Sequence, residues 1–380
     1  MKKYLAVLGR QPLISVAELE SLFGNVALVN KELAEFSMLP ESPRDLSGNH
    51  PNLNRLGGTQ KIAEEIREPI VEFLGRLPSD GKITLGVSDY SHGANAFRAQ
   101  GEALKLKRIL TKMGRSVRVV PNKEAVLSSA TSLHNRLFKE NRIEILKVGK
   151  HFFRVVGVQN IEAYATRDQA RPARDAKVGM LPPKLAQVLI NLCGNEPEGS
   201  VLLDPFCGTG VVLQEAALMK YDVVGSDLSE RMVEYTRKNL DWACRELGIQ
   251  VHNPLVVQGD ARLKQWKQPI DLVACETYLG PPMSLPPAEI KLKEVKQECG
   301  GTILGFLKNL SKQMKTGAPI TIAVPAWLRA DGHYERLKIL DEIDNLGYNV
   351  KRFRNLGQED LLYYRDGQVV AREIIVLRKK

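Results

Sequence analysis

The 380-residue chain has no uninterrupted apolar run close to the ~18–20 residues that a membrane-spanning helix needs. Its start, Met1-Lys2-Lys3 followed by the apolar residues 4–8, mimics a secretory leader. The apolar part is too short for one, and Gly9-Arg10-Gln11-Pro12 ends it. A cytoplasmic protein with no membrane segment is expected. Cysteine is scarce: Cys193, Cys207, Cys244, Cys275 and Cys299 are odd in number and none is spaced as a metal-binding pair. Neither structural disulfides nor a metal site is expected. No Gly-Lys-Ser/Thr follows the glycine-rich turn near residue 208, which excludes the loop that cradles nucleoside triphosphates.

What the chain does have is a concentrated positive charge. It carries 54 Lys+Arg against 44 Asp+Glu, a net charge of +10. Residues 1–80 hold 9 basic and 11 acidic side chains, residues 81–165 hold 15 and 6, and residues 166–380 hold 30 and 27. A local excess of this kind reads as an electrostatic footprint for phosphate, or else as a solvated face with no partner. The length implies two or three domains.

The chemistry-bearing signal lies further on. Val201-Leu202-Leu203 runs into Asp204-Pro205-Phe206-Cys207-Gly208-Thr209-Gly210, and then into Val211-Val212-Leu213-Gln214-Glu215-Ala216-Ala217. That order predicts strand, glycine turn, helix. Glycines at 208 and 210 allow positive φ and close approach of a ligand to the backbone. A turn at the carboxyl end of a first parallel strand is where open α/β sheets bind nucleotide-like ligands. A carboxylate at Asp204 suits a cationic or amino-bearing ligand better than a pyrophosphate. Further strands are expected over residues 222–227, 255–261 and 270–275, ending on or near Asp227, Asp260 and Glu276. An acid about twenty residues past the turn can accept hydrogen bonds from ribose hydroxyls, which is the role predicted for Asp227. A helix is expected over residues 229–247 with Ser229 as its cap. Asp260 can also serve as a helix cap, and Asp271 reads as a turn residue. Residues 286–315 and 331–346 read as helices and residues 318–324 as a fifth strand. Residues 348–354 and 371–377 read as a closing strand pair.

Asp-Pro-Phe-Cys-Gly-Thr-Gly resembles motif I of the S-adenosylmethionine-dependent methyltransferases, in particular those that modify exocyclic amino groups of nucleic-acid bases. The resemblance implies S-adenosylmethionine as cofactor, with Asp204, Phe206, Gly208, Gly210 and Asp227 in its site and Asp260 near the adenine amine. It also implies a Rossmann-like, seven-stranded sheet over residues 183–380 with its last strand antiparallel. The family's catalytic loop follows the fourth strand and pairs an Asp or Asn with two prolines and an aromatic residue. Here the order differs: Glu276-Thr277-Tyr278-Leu279-Gly280-Pro281-Pro282. By resemblance Glu276 accepts the hydrogens of the target amine and Tyr278 stacks on the extruded base. The alternative is a loop that binds cofactor and has lost or changed its chemistry.

The N-terminal half adds a substrate. Residues 1–80, with a strand near residues 5–10 and a helix over 15–23 capped by Ser15, read as a small α+β, ferredoxin-like module. Residues 81–165 read as strand, helix, strand, helix, strand, strand, with a basic helix over 97–113 and a second helix over 127–138. That order and charge resemble a THUMP domain, which implies tRNA as partner, with Lys105, Lys107 and Arg108 on phosphate. A charged linker, residues 166–182, carries Arg171-Pro172-Ala173-Arg174-Asp175 and leads through Gly179 into Pro182-Pro183-Lys184-Leu185-Ala186. It resembles the corresponding segment of THUMP-containing tRNA guanosine N2-methyltransferases that act at position ten. Arg171 and Arg174 either reach RNA or pair internally with Asp168 and Asp175. The reading is a methyltransferase of an exocyclic guanine N2 amine of tRNA. Its alternatives are another nucleic-acid target, either an adenine amine or a 2′-hydroxyl, and a non-catalytic RNA-binding protein that keeps the cofactor fold.

Overall fold

The computed structural model describes residues 2–38, 42, 50–78, 81–175, 180–251, 254–354 and 356–380. Gly179 of the linker lies outside them. The chain forms two compact units: Met1–Pro12, Phe23–Asn54 and Gly58–Ala163 make the first, and Leu13–Leu22, Arg55–Gly57 and Tyr164–Lys380 the second. Among the described residues no helix is long and apolar enough to cross a membrane.

In chain order the first half runs β1 (Lys3–Leu8), α1 (Pro12–Phe23), β2 (Val26–Asn30), β3 (Leu33–Ser37), β4 (Thr59–Ile66), α2 (Ile70–Gly75) and β5 (Ile83–Asp89). It continues through α3 (Ala96–Lys112), β6 (Val117–Val119), α4 (Ser129–His134), β7 (Phe138–Lys139), β8 (Arg142–Val148) and β9 (His151–Val158). All nine strands join one sheet, ordered β2-β3-β1-β4-β9-β8-β5-β6, with β7 on β8. The antiparallel pairing of β4 with β9 links the strands before residue 80 to those after it. A division at residue 80 therefore does not separate two bodies. The expected helix over 127–138 is shorter: α4 ends at His134, and Arg136 takes a positive φ of 53° before the turn into β7.

A charged network sits inside this unit. The Lys61 ammonium lies 2.6 Å from Glu144 Oε1 and donates to the Leu127 carbonyl, and both side chains are buried. Ser88 and Ser132 each donate a hydroxyl to the same carboxylate at 2.6 Å. Burying this ion pair is tolerable because the lysine has a second acceptor and both carboxylate oxygens receive hydroxyl donors.

The second unit is a doubly wound α/β layer structure. It continues with α5 (Ile161–Gln169), α6 (Pro183–Leu192), β10 (Val201–Asp204), α7 (Val211–Leu218), β11 (Asp222–Asp227), α8 (Glu230–Leu247), β12 (Leu255–Gln258), β13 (Leu272–Glu276) and α9 (Glu289–Leu310). It closes with β14 (Pro319–Leu328), β15 (Tyr334–Arg336), α10 (Leu340–Ile343), β16 (Tyr348–Val350), β17 (Leu362–Tyr363) and β18 (Val370–Lys379). The sheet order is β12-β11-β10-β13-β14-β18-β16, with β15 on β14 and β17 on β18. The first five strands of that path pair in parallel, and β18 runs antiparallel to both neighbours. Central parallel strands are covered on both faces, so their middle residues are mostly apolar, with the acids at strand ends. Leu202, Leu272 and Ala274 enter a core with α6, α7 and α8, while Leu203, Val273 and Cys275 enter the opposite core under α9. Where a helix was expected over residues 331–346, the chain instead forms β15 and the four-residue α10. Pairing with β14 outweighed the local helix pattern.

Residues 13–22 of α1 belong to this second unit. Ile14 and Ala17 enter its core, and Glu18 accepts hydrogen bonds from Asn191 Nδ2 at 2.8 Å and the Gly57 N–H at 2.9 Å.

Candidate active site

From β10 the sheet order runs one way to β11 and the other way to β13, so the carboxyl end of β10 lies at the topological switch point. Three acids end these adjacent strands: Asp204 on β10, Asp227 on β11 and Glu276 on β13. The turn after β10 is held by Cys207 N–H on the Ser226 carbonyl at 2.9 Å and Gly210 N–H on the Cys207 carbonyl at 2.7 Å. Gly208 and Gly210 take φ of 52° and 84°. Their surroundings differ. A Cβ on Gly210 would lie 2.9 Å from Thr236 Cγ2 on α8, whereas one on Gly208 would meet nothing closer than a backbone oxygen at 3.9 Å. Gly210 therefore serves packing, and Gly208 leaves open space beside the turn.

Asp204 is 2% exposed; Oδ1 accepts the Phe206 N–H at 3.1 Å, and Oδ2 has no hydrogen-bond partner among the described residues. Burial pushes its carboxyl well above the ordinary range, and the charges of Asp227 and Glu276 push it further. Asp227 accepts the Gly208 N–H and the Ser229 N–H, each at 2.9 Å. Burial raises its pKa too, while these two hydrogen bonds oppose the rise. Ser229 precedes α8 as expected but makes no side-chain cap; its own N–H donates to Asp227.

The buried acid has a measurable consequence. Asp204 binds its proton more tightly in the folded state than in the unfolded one. Stability is thus lost as pH rises from the ordinary carboxylate range through the raised value. Asp204→Asn keeps the acceptor for Phe206 and removes that loss. Its melting temperature is expected to exceed the wild type's at neutral pH and to vary less with pH, as calorimetry would read. A variant that melts at or below the wild-type temperature at neutral pH contradicts this.

Glu276 is engaged from a distant part of the chain. Arg372 Nε on β18 donates to Glu276 Oε1 at 2.7 Å, with side chains 4% and 16% exposed. Arg372 pairs with Pro325 in register, so the arginine reaches across β14 to the end of β13. Oε2 of Glu276 has no hydrogen-bond partner among the described residues. Thr277, which follows Glu276 in the altered loop, donates both its N–H and its hydroxyl to the Ala323 carbonyl, at 2.9 and 3.0 Å. It anchors the loop to β14. Tyr278 is 37% exposed, with its hydroxyl pKa raised by burial and by Glu298. Gly280, at φ 84°, packs where a Cβ would lie 2.8 Å from Val295.

Two expected contacts are otherwise committed. The Asp260 carboxylate is chelated by Arg262, with Nε at 3.0 Å from both oxygens and Nη2 at 2.6 Å, and these bonds hold its pKa below the ordinary range. Arg171 does not face outward. Its side chain is fully enclosed, with Nη1 3.3 Å from Thr209 Oγ1 and Nη2 3.7 Å from Asp168 Oδ1. Of the two alternatives for Arg171 the structure has the internal one, and the side chain has no surface to offer RNA.

The rest of this strip is tied to the same turn. Asn239 of α8 exchanges hydrogen bonds with both backbone groups of Ala173, at 3.0 and 2.9 Å, and donates to the Thr209 carbonyl at 2.8 Å. Asp175 pairs with Arg231 at 2.7 Å. Arg174 is exposed, with Nη1 on the Gln169 carbonyl at 3.3 Å. On α3, Lys105 and Arg108 are exposed and Lys107 is half-buried. Sequence reasoning missed Arg372 and Asn239. Neither stands in a motif, and each acts through a contact made by folding.

Residues 171–293 match the model of a family described as an RMKL-like methyltransferase domain. A tRNA (guanine(10)-N2)-dimethyltransferase of Methanothermobacter thermautotrophicus is 35% identical over 163 residues, covering 42% of this chain and 44% of that protein. A protein of the same name from Methanocaldococcus jannaschii is 44% identical over 63 residues, covering 17% of this chain and 18% of that protein. Among solved structures, TrmN from Thermus thermophilus aligns over 100% of both chains with 19% identity and a TM-score of 0.47. The chain spans less than half the length of the curated relatives it matches, and its segment 171–293 is similar to a methyltransferase domain.

Proposed function

We propose that this chain is an S-adenosylmethionine-dependent methyltransferase that modifies the exocyclic N2 amine of a guanine in tRNA, at position ten. The observation that carries the reading is the trio Asp204, Asp227 and Glu276 on adjacent strand ends around a glycine turn whose Gly208 side is open. The residues fit the cofactor. Asp204 has an unpartnered oxygen in an acid-rich setting suited to a cation. Phe206 and Gly208 would line the methionine part, and Asp227 the ribose. Asp260 would reach an adenine amine only while also holding Arg262. When bound, the cofactor supplies an electrophilic methyl group on a positively charged sulfur.

Glu276, braced by Arg372, accepts hydrogen bonds from the target amine and so directs the nitrogen lone pair. Tyr278 offers an exposed ring for stacking on the base. The first unit, with its THUMP-like order of elements and basic α3, binds tRNA through Lys105, Lys107 and Arg108. Arg174 is a further candidate for RNA phosphate. A tRNA substrate implies a cytoplasmic location.

The test is to incubate the protein with total tRNA and methyl-labelled cofactor, digest to nucleosides and identify the product by mass spectrometry. N2-methyl- or N2,N2-dimethylguanosine is expected. Label in an adenine amine or a 2′-hydroxyl overturns the target, and no label in any tRNA overturns the activity.

A further inference from the structure

We infer that the outward face of α3 is a binding track for an unpaired RNA segment, on which Phe97 stacks a base and Gly101 admits the sugar-phosphate backbone. The inference rests on the reading that the substrate is RNA. At 3.6 residues per turn, Phe97, Gly101, Lys105, Arg108 and Lys112 fall within a sector of about 80°. Ala99, Ala103, Leu106 and Leu110 fill the opposite side and are buried. The stripe runs about 22 Å along the helix and has no acid in it. Lys107 lies about 120° off its centre and is half-buried.

Two residues on the stripe have no structural reason to be there. Phe97 is 87% exposed in the first turn of the helix, more than any other large apolar side chain among the described residues. An aromatic ring in water, at the head of a row of cations, matches the pairing of stacking platform and phosphate contacts used for single strands. Gly101 sits in mid-helix, where glycine is destabilising relative to alanine. A Cβ there would meet nothing within 4 Å, so interior packing does not require its absence. What glycine preserves is clearance on the outer surface, between the ring and the cations. Lys105 is exposed and lies 3.6 Å from Glu102, whose carboxylate is held more closely by Lys147 at 2.7 Å, so this contact is too weak to hold the Lys105 ammonium from phosphate.

Fluorescence anisotropy on the full chain tests this, using a labelled unstructured RNA oligonucleotide and a labelled blunt hairpin of equal length. Phe97→Ala is expected to weaken the single strand about tenfold or more, and the hairpin far less, because duplex bases are not available to stack. Gly101→Gln is expected to melt at or above the wild-type temperature and yet bind the single strand more weakly. Lys105→Gln and Arg108→Gln should each lower the salt dependence of binding by about one unit of slope, and Lys107→Gln by less. If the wild type binds both RNAs and methylates tRNA while Phe97→Ala and Gly101→Gln bind as the wild type does, the track is wrong and the proposed function stands. If the wild type binds neither RNA, the track is wrong, and the proposed function is decided by the labelling of tRNA.

Discussion

Glu276→Gln is expected to lower the single-turnover rate of methyl transfer by about a hundred- to ten-thousand-fold at saturating cofactor. The amide keeps the size of the side chain and can still accept from Arg372, so the variant should stay folded. What changes is the charge that orients and receives from the target amine. Glu276→Ala behaves differently. It leaves the guanidinium of Arg372, 4% exposed, without the carboxylate now 2.7 Å away. Removing one partner of a buried pair costs about 3–5 kcal/mol, so the alanine variant should lose stability as well as activity. Arg372→Met should share the stability loss. Adding it to Glu276→Gln should lower activity little further, because the arginine acts through the acid. Single-turnover kinetics and thermal melts separate these outcomes. A glutamine variant as fast as wild type removes Glu276 from the chemistry, and an alanine variant as stable as wild type removes the significance of the pair.

The largest expected effect on stability alone lies in the first unit. Glu144→Ala strands the Lys61 ammonium, which is 1% exposed, and takes the acceptor from the hydroxyls of Ser88 and Ser132. The cost is again about 3–5 kcal/mol for the unpaired charge, with a smaller addition for the hydroxyls. Hydrogen exchange along β5 and β8, which carry Ser88 and Glu144, is the direct measurement. Their amides should exchange faster in the variant. Replacing both members of the pair with apolar residues, as in Lys61→Met with Glu144→Leu, should recover most of the loss. Unchanged exchange in Glu144→Ala would mean that water or another acid compensates the lysine.

The turn at residues 204–210 and the acids at Asp227 and Glu276 were legible because they rest on short-range rules. A parallel strand must end, a glycine must take positive φ, and the next strand must begin a fixed distance on. What was not legible depends on contacts between residues far apart in the chain. Arg372 meets Glu276 only because β18 inserts beside β14, and no spacing in the sequence encodes that neighbour. Arg171 read equally well as an outward cation, and its enclosure follows from the strip 171–175 lying on the glycine turn. The helix expected over residues 331–346 failed for a related reason, since an open edge of β14 offered its backbone a better partner than itself. Conversely, the glycine at 101 carried no meaning until its empty surroundings were known.

Asn239 ties one strip of chain to the glycine turn, and this bears on where the second unit can be cut. A truncation beginning at Pro183, where the sequence pattern first turns into an α/β domain, discards Ala173 and leaves Asn239 holding only the Thr209 carbonyl. It also discards residues 13–22, which fill part of the core and receive the Asn191 amide on Glu18. A shortened chain that keeps the glycine turn as it stands has to begin before Arg171 and regain a substitute for that first helix. The second unit is therefore assembled from separate stretches of chain, and its boundary in space is not a single place in the sequence.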